Sequence, residues 1–137
     1  MARIKYDSTI MKYMPLFESM TGAKVKDCIV DDSVLFIVNE GEIGKAIGKG
    51  GSNIRRIEDL LKKRVRVVEF NTDVSKFVAN IIHPFTVNDI KEEDGIVNIY
   101  ANDTKTKGMI IGRERSRINS INEIVRRHFP GKEVKVV

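Results

Sequence analysis

The sequence predicts an α+β protein that consists of two tandem copies of one small unit. Each copy has the order helix, strand, strand, helix, helix, strand, with a small three-stranded sheet. One observation is the alternation of amphipathic helical stripes, at a period of about 3.6 residues, with short β-branched runs typical of strands. The other is an internal repeat: Gly44, Ile47, Gly48, Ser52 and Ile54 recur 64 residues later as Gly108, Ile111, Gly112, Ser116 and Ile118.

The first half is predicted to begin with a helix that Asp7 or Ser8 caps and that Gly22 ends. Pro15 lies within this helix and is expected to kink or divide it, because proline removes a backbone donor. The later elements are predicted as strands at 25–30 and 34–38, helices at about 43–47 and 52–63, and a strand at 65–70.

The second half repeats this order. Asp73 is predicted to cap a helix that ends at His83-Pro84, because a residue before proline is pushed out of the α region. Strands are predicted at 86–91 and 96–100, with an acidic turn between them that ends in Gly95. A second glycine segment at 107–115, a helix from Ser116 and a strand at 133–137 complete the copy, so the predicted domains are 1–71 and 72–137.

The segment from Ile43 to Ile54 places four glycines and two lysines between two predicted helices. Glycine allows positive φ and close approach of another backbone. The unpaired N–H groups at the start of the following helix attract anions, and Lys49 adds a full charge. This pattern predicts a phosphate-binding loop at Gly48–Gly51, although a glycine-rich turn without a ligand is also consistent with it.

The matching segment of the second half reads Gly112-Arg113-Glu114-Arg115 and lacks the closing glycine. The Cβ of Arg115 is expected to hinder the closest backbone approach, and Glu114 to repel phosphate. Arg113 and Arg115 are expected to attract phosphate through their charge. Whether the second loop binds an anion therefore stays open.

Positive charge is concentrated around both glycine segments. The net charge is +5, whereas residues 44–66 alone carry eight Lys or Arg against two acidic residues, and residues 105–117 carry five against one. This distribution favours a polyanionic partner. The single cysteine, Cys28, excludes an intrachain disulfide and is expected to be a buried strand residue, and no apolar run approaches the roughly 18 residues of a membrane span.

A nucleotide-dependent enzyme is a remote alternative, because the glycine pattern does not match the known nucleotide loops. A P-loop has four residues between its first glycine and Gly-Lys-Ser/Thr, whereas Gly44 to Gly50 has three and ends in glycine. The acidic clusters Asp31-Asp32 and 92–94 are interpreted as solvated hairpin turns rather than metal ligands. We therefore expect a protein that is not an enzyme and needs no cofactor.

Gly48-Lys49-Gly50-Gly51, with Ile47 before it and Ile54 after it, resembles the Gly-x-x-Gly signature of the KH domain. The order of elements resembles the type II form, and two adjoining units resemble the archaeal NusA family of transcription factors. This resemblance implies a cytoplasmic protein that binds single-stranded RNA during transcription elongation or termination, with RNA polymerase as a further partner and no membrane association. A ribosome-associated KH protein that binds structured RNA is the alternative.

In the KH fold such a loop clamps the backbone of about four nucleotides. Bases are then expected on an aliphatic groove lined by Ile43, Ile47 and Ile54, whereas Ile57, Leu60 and Leu61 are expected in the core. The low aromatic content disfavours recognition by stacking platforms. The predicted RNA-binding residues are Ile43, Lys45, Ile47, Gly48, Lys49, Gly50, Gly51, Ser52, Asn53, Ile54 and Arg55 in the first unit and Ile111, Gly112, Arg113, Arg115 and Arg117 in the second.

Overall fold

The computed structural model describes residues 8–137, and only the backbone of residues 8–10. The chain separates into two compact units, and the division falls between Phe70 and Asn71. Capping by Asp7 and the packing of Ile10 lie outside the described part of the chain.

The first unit forms one three-stranded sheet with helices. Strand β2 is central; it pairs antiparallel with β1 and parallel with β3. A parallel pair needs a crossover connection, which α2 and α3 supply. The elements are α1 (Ser8–Thr21), β1 (Val25–Val30), β2 (Val34–Val38), α2 (Ile43–Ile47), α3 (Ser52–Leu61) and β3 (Val65–Glu69).

The second unit repeats this topology. Its central strand β5 pairs antiparallel with β4 and parallel with β6. The predicted fold class, two tandem units with the order helix, strand, strand, helix, helix, strand, is confirmed. The elements are α4 (Val74–Ile82), β4 (Asp89–Glu93), β5 (Ile96–Tyr100), α5 (Thr104–Ile111), α6 (Ser116–His128) and β6 (Glu133–Val136).

The core of the first unit is aromatic at its centre. The rings of Phe17 and Phe36 stack with centroids 4.1 Å apart, and Cys28 is buried beside them as predicted. Ile57 is buried, but Leu60 is 55% exposed, so its assignment to the core is wrong. Leu60 lies to one side of the helical stripe formed by Ile54, Ile57 and Leu61, and no described residue covers most of its side chain.

One polar side chain in each unit fastens the helix after the glycine segment to the last strand. Glu58 accepts a hydrogen bond from the Val65 N–H at 2.9 Å. At the matching position, Asn122 accepts from the Val134 N–H at 2.7 Å and donates to the Val134 carbonyl at 3.0 Å. The start of each final strand is thereby held against its helix, which fixes the helix that follows the glycine loop.

The boundaries of β4 differ from the prediction. The strand spans Asp89–Glu93, three residues later than expected at its start, because Asp94 and Gly95 alone form the tight turn with φ of 54° and 81°. A two-residue turn fixes the register, so Asp89 pairs with Tyr100 at the end of β5. The acidic residues at 92 and 93 consequently belong to the strand and not to the turn.

Helix boundaries follow the predicted signals with small shifts. Helix α1 runs through Pro15 without division and ends at Gly22, whose φ is 77° and whose N–H donates to the Glu18 carbonyl. Asp73 caps α4 by accepting from the Ser75 N–H at 2.9 Å, as predicted. Helix α3 ends at Leu61 and not at residue 63, because Lys62 adopts a left-handed conformation with φ of 58°.

Candidate functional site

The first glycine loop is a tight turn between α2 and α3. Gly48, Gly50 and Gly51 have φ of 76°, 62° and 79°, and the Gly51 N–H donates to the Gly48 carbonyl at 3.1 Å. Gly51 is the N-cap of α3 and makes no side-chain cap. The first-turn N–H groups of this helix are therefore not covered by a capping side chain, which suits an anion at this end.

Gly48 is required by a close approach to Asn53. A Cβ at position 48 would lie 2.8 Å from Asn53 Cγ and 3.0 Å from the Asn53 backbone nitrogen. The Asn53 side chain in turn donates to the Lys45 carbonyl at 2.8 Å and so ties α3 to α2. The amide of Asn53 thus holds the loop in shape, and its contact with RNA stays a prediction.

Three cationic residues lie in or next to this loop in the chain, and one of them contacts its backbone. The Arg55 guanidinium folds back and donates to the Gly50 carbonyl at 2.7 Å. Lys49 is exposed, and the Lys45 ammonium is exposed and 3.7 Å from Glu42. Of the predicted cations, Arg55 therefore contacts the loop and Lys49 is part of it, whereas Lys45 lies on α2 beside Glu42.

Four of the eight basic residues in segment 44–66 lie away from the glycine loop. A separate open cavity of about 690 Å³ is formed where α3 ends and β3 begins, at the opposite end of α3 from the glycine loop. The cavity is lined by Ser33, Glu58, Lys62, Lys63, Arg64, Val65 and Arg66. The concentration of positive charge read from the sequence therefore overstates the charge at the loop.

The three isoleucines assigned to a groove are all half-buried. Ile43 and Ile54 pack against the core of the first unit with part of their surface still accessible. Such partial exposure is what a base-contacting aliphatic residue needs, whereas Ile57 on the same helix is buried. The groove formed by Ile43, Ile47 and Ile54 stays a prediction.

The second loop has the same backbone conformation, although Glu114 and Arg115 stand where the first loop has Gly50 and Gly51. Gly112, Glu114 and Arg115 have φ of 79°, 54° and 63°, and the Arg115 N–H donates to the Gly112 carbonyl at 3.1 Å. A left-handed conformation costs a residue with a Cβ about 1–2 kcal/mol. The turn geometry is therefore preserved at a cost in stability, as is common at functional sites.

The arginines of the second loop are exposed, and one of them has an aromatic neighbour. Arg113, Arg115 and Arg117 all reach solvent. A Cβ on Gly112 would lie 2.8 Å from Arg117 Cβ, so Arg117 packs against the loop itself. Its guanidinium carbon lies 5.1 Å from the centre of the Phe85 ring. Sequence reasoning missed Phe85, because it stands between α4 and β4 with no motif around it.

Helix α5, which leads into the second loop, has a strong cap. The hydroxyl and backbone N–H of Thr106 hold the pKa of the Asp103 carboxyl below its ordinary value, and the N–H donates to Asp103 at 3.1 Å. Asp103 therefore stays ionised at the N-terminus of α5, where negative charge is favourable.

Two other types of site, a metal site and a membrane-spanning helix, are absent from the part of the chain that the structure describes. Within it, no three His, Cys, Asp or Glu side chains lie close enough together to hold a metal ion. Nor is any helix among these residues sufficiently long and apolar to cross a membrane.

Comparison with known proteins gives one consistent result. The family model of the KH domain matches residues 13–84. The chain is 34% identical to the "Probable transcription termination protein NusA" of Methanococcus vannielii, an alignment that covers 98% of this chain and 80% of the relative. The protein of the same name from Halococcus morrhuae is also 34% identical, with 98% and 99% covered.

A solved structure agrees with these relatives. The crystal structure of APE1850 matches with a TM-score of 0.75 at 28% identity and covers 96% of this chain and 99% of that one. The chain therefore belongs to the KH-domain family and, within it, to the archaeal NusA-like proteins.

Proposed function

We propose that this protein binds single-stranded RNA in the cytoplasm and acts as a NusA-like factor in transcription elongation or termination, with RNA polymerase as a partner. The observation that carries the proposal is the first glycine loop. There the N-terminus of α3, the exposed Lys49, the Arg55 guanidinium and an open backbone coincide at Gly48–Gly51. Binding rather than catalysis is the proposed activity.

Phosphate groups would lie against the backbone from Gly50 to Ser52. A Cβ on Gly50 would meet no atom within 4 Å, so this side of the turn offers room for a phosphate or a sugar. Lys49, next to Gly50 in the chain, would supply charge to this phosphate, and Lys45 on α2 would add to the positive field, while bases would rest on the half-buried isoleucines. The site comprises the residues predicted from sequence, with Asn53 in a supporting role.

The second loop is proposed to add affinity through charge. Its backbone follows the same path, but the side chains of Glu114 and Arg115 occupy the edge where the first loop has none. Arg113, Arg115 and Arg117 give a positive field there, which attracts phosphate without the closest backbone approach. Ile111 is half-buried, as Ile47 is in the first unit.

The transcriptional part of the proposal is supported by the relatives named as probable transcription termination proteins. Purification of the protein from its own cells tests it directly. Recovery with RNA polymerase is the expected result. Recovery with ribosomal particles and without polymerase would favour the ribonucleoprotein alternative.

The binding part is tested by titration of a fluorescent single-stranded RNA at several salt concentrations, without metal or nucleotide. Each neutralised phosphate contributes about −0.7 to the slope of log affinity against log salt for single strands. For about four to six contacts, we expect a slope of roughly −3 to −4. A slope near zero would contradict electrostatic recognition of the backbone.

A further inference from the structure

Arg117 and Phe85 form a cation–aromatic pair in the second unit. Arg117 is in the first turn of α6, directly after the second glycine loop, and is exposed. Its guanidinium carbon lies over the Phe85 ring at 5.1 Å from the ring centre. A planar cation thus lies over an aromatic face beside the second glycine loop.

Phe85 is accessible on the side away from the core. It is half-buried and lines an open groove of about 360 Å³ together with Ser75, Lys76, Ala79, Ile82, Thr86, Val87, Asp89 and Ile90. This ring follows α4 and is not part of the buried core of its unit. The cation and the ring therefore form a surface feature, and its outer side is the guanidinium.

The position of Arg117 next to the loop indicates which ligand this surface would bind. Arg117 Cβ would be 2.8 Å from a Cβ on Gly112, so its side chain starts at the loop and extends to Phe85. A nucleotide whose phosphate lies at the loop has its base within reach of that side chain. Bases stack on arginine planes as well as on aromatic rings.

We propose that the outer face of the Arg117 guanidinium is a stacking platform for one base of single-stranded RNA, and that Phe85 is the positioning residue that holds the guanidinium in place. This inference rests on the proposed RNA-binding function and deepens it. It assigns base contact to the second unit through a stacked cation, whereas the first unit uses half-buried isoleucines. The matching position in the first unit is Asn53, whose side chain is engaged with the Lys45 carbonyl.

A similar pair elsewhere provides a control. The Lys26 ammonium of β1 lies 4.5 Å from the centre of the ring of Phe70, the residue after β3, and the pair reaches across the central strand β2. This pair has the same chemistry but no planar cation, and it belongs to the sheet and not to a glycine loop. Phe70→Leu therefore measures what loss of a partly exposed ring does in general.

The test compares the parent protein, Arg117→Lys, Phe85→Leu and Phe70→Leu. Each is titrated with a short single-stranded RNA and with a series of RNAs that carry one abasic nucleotide at successive positions. Arg117→Lys keeps the charge and removes the plane, and Phe85→Leu keeps an apolar side chain and removes the ring. Removal of a stacking side chain costs about five- to 150-fold in affinity, and these variants, which keep the charge or the apolar contact, are expected in the lower part of that range.

We expect Arg117→Lys and Phe85→Leu each to weaken binding to the intact RNA about five- to fifty-fold, and Phe70→Leu to leave it unchanged. For the parent, one abasic position should cause a similar loss. At that position the variants should lose nothing more, because the base and the platform act as a unit. Circular dichroism melting of every variant checks that the fold is retained. If Phe85→Leu does not fold, Arg117→Lys alone still tests the stacking platform.

Three results would overturn the inference. The inference fails if Arg117→Lys binds like the parent, or if its loss of affinity multiplies with the abasic loss at every position, because the guanidinium then makes no contact with a base. If the parent itself binds no single-stranded RNA, the proposed function fails together with this inference. If the parent binds single-stranded RNA and both Arg117→Lys and Phe85→Leu bind it equally well, the stacking platform is rejected and the proposed function is not.

Discussion

The two glycine loops have one backbone conformation and two different sets of side chains. The first turn uses glycine at three positions of positive φ, while the second uses Gly112, Glu114 and Arg115 at nearly the same angles. The hydrogen bond that closes each turn has the same length, 3.1 Å. The conformation is therefore set by the junction of two helices, and glycine lowers its cost and leaves space beside the backbone.

The comparison separates two properties that the Gly-x-x-Gly pattern combines. At Gly48 and Gly112, a Cβ would collide with the following helix, so glycine is needed for the structure. At Gly50 a Cβ would meet nothing, so glycine there keeps space open for a ligand. The second loop retains the structural glycine and has lost the open side, which makes it the weaker candidate for backbone clamping.

The largest expected effect follows from replacement of Lys49 and Gly50 by Asp. Two carboxylates would stand where a phosphate must lie, and each like-charge contact costs on the order of 1 kcal/mol at an exposed site. With the lost lysine contact, single-stranded RNA should bind roughly 100-fold more weakly, as anisotropy titration would measure. Glu114 already occupies the matching position in the second loop, so an acidic residue at position 50 is compatible with the turn.

Two controls sharpen this experiment. Lys12→Asp with Lys135→Gln changes the net charge by the same amount on α1 and β6, and should weaken binding far less. Arg113→Asp with Glu114→Asp alters the second loop and should also cost less, because that loop already carries an acid. If only the second-loop variant fails to bind, the clamp belongs to the second unit, and if neither matters, the clamp hypothesis is wrong.

The next effect concerns stability. Gly48→Ala would place a Cβ 2.8 Å from Asn53 Cγ in a backbone region with φ of 76° and ψ of 170°. Such a conformation is essentially restricted to glycine, so we expect the free energy of unfolding to fall by about 2 kcal/mol. Chemical denaturation monitored by circular dichroism measures this change.

Gly44→Ala is the matched control for that variant. Gly44 lies within α2, and a Cβ there would meet no atom within 4 Å. Because alanine is the better helix former, this change should raise the free energy of unfolding by about 0.5–1 kcal/mol. Equal destabilisation by both variants would refute the distinction between glycines that the structure requires and glycines that alanine can replace.

The smallest effect is expected at the closing position of the second loop. Arg115 has φ of 63°, so Arg115→Gly should relieve strain and raise the free energy of unfolding by about 0.5–1 kcal/mol. Arg113→Gly removes the same charge at a position where the backbone is not left-handed, and should lower stability by a similar amount. If backbone conformation determines the effect, the melting temperature should rise for Arg115→Gly and fall for Arg113→Gly. If charge repulsion determines it, both melting temperatures should change in the same direction.

Most of the fold was predictable, because it depends on local signals. The repeat, the caps at Asp73 and Gly22 and the hydrophobic stripes placed nearly every element within a few residues of its observed bounds. The wrong predictions for the start of β4 and for the burial of Leu60 concern features that local signals do not determine. Register depends on the turn at Asp94 and Gly95, and burial at position 60 depends on whether another element covers that side of α3.

The candidate site was predictable in composition and only partly in arrangement. Glycine and lysine at fixed spacing already predict a phosphate-binding turn, because backbone freedom and charge are local properties of the residues. Only the tertiary structure could show that Asn53 supports the loop, since its partner is a carbonyl on another helix. The same holds for the separation of four basic residues from the loop and for the contact of Arg117 with Phe85, which depend on how helices and strands pack in three dimensions.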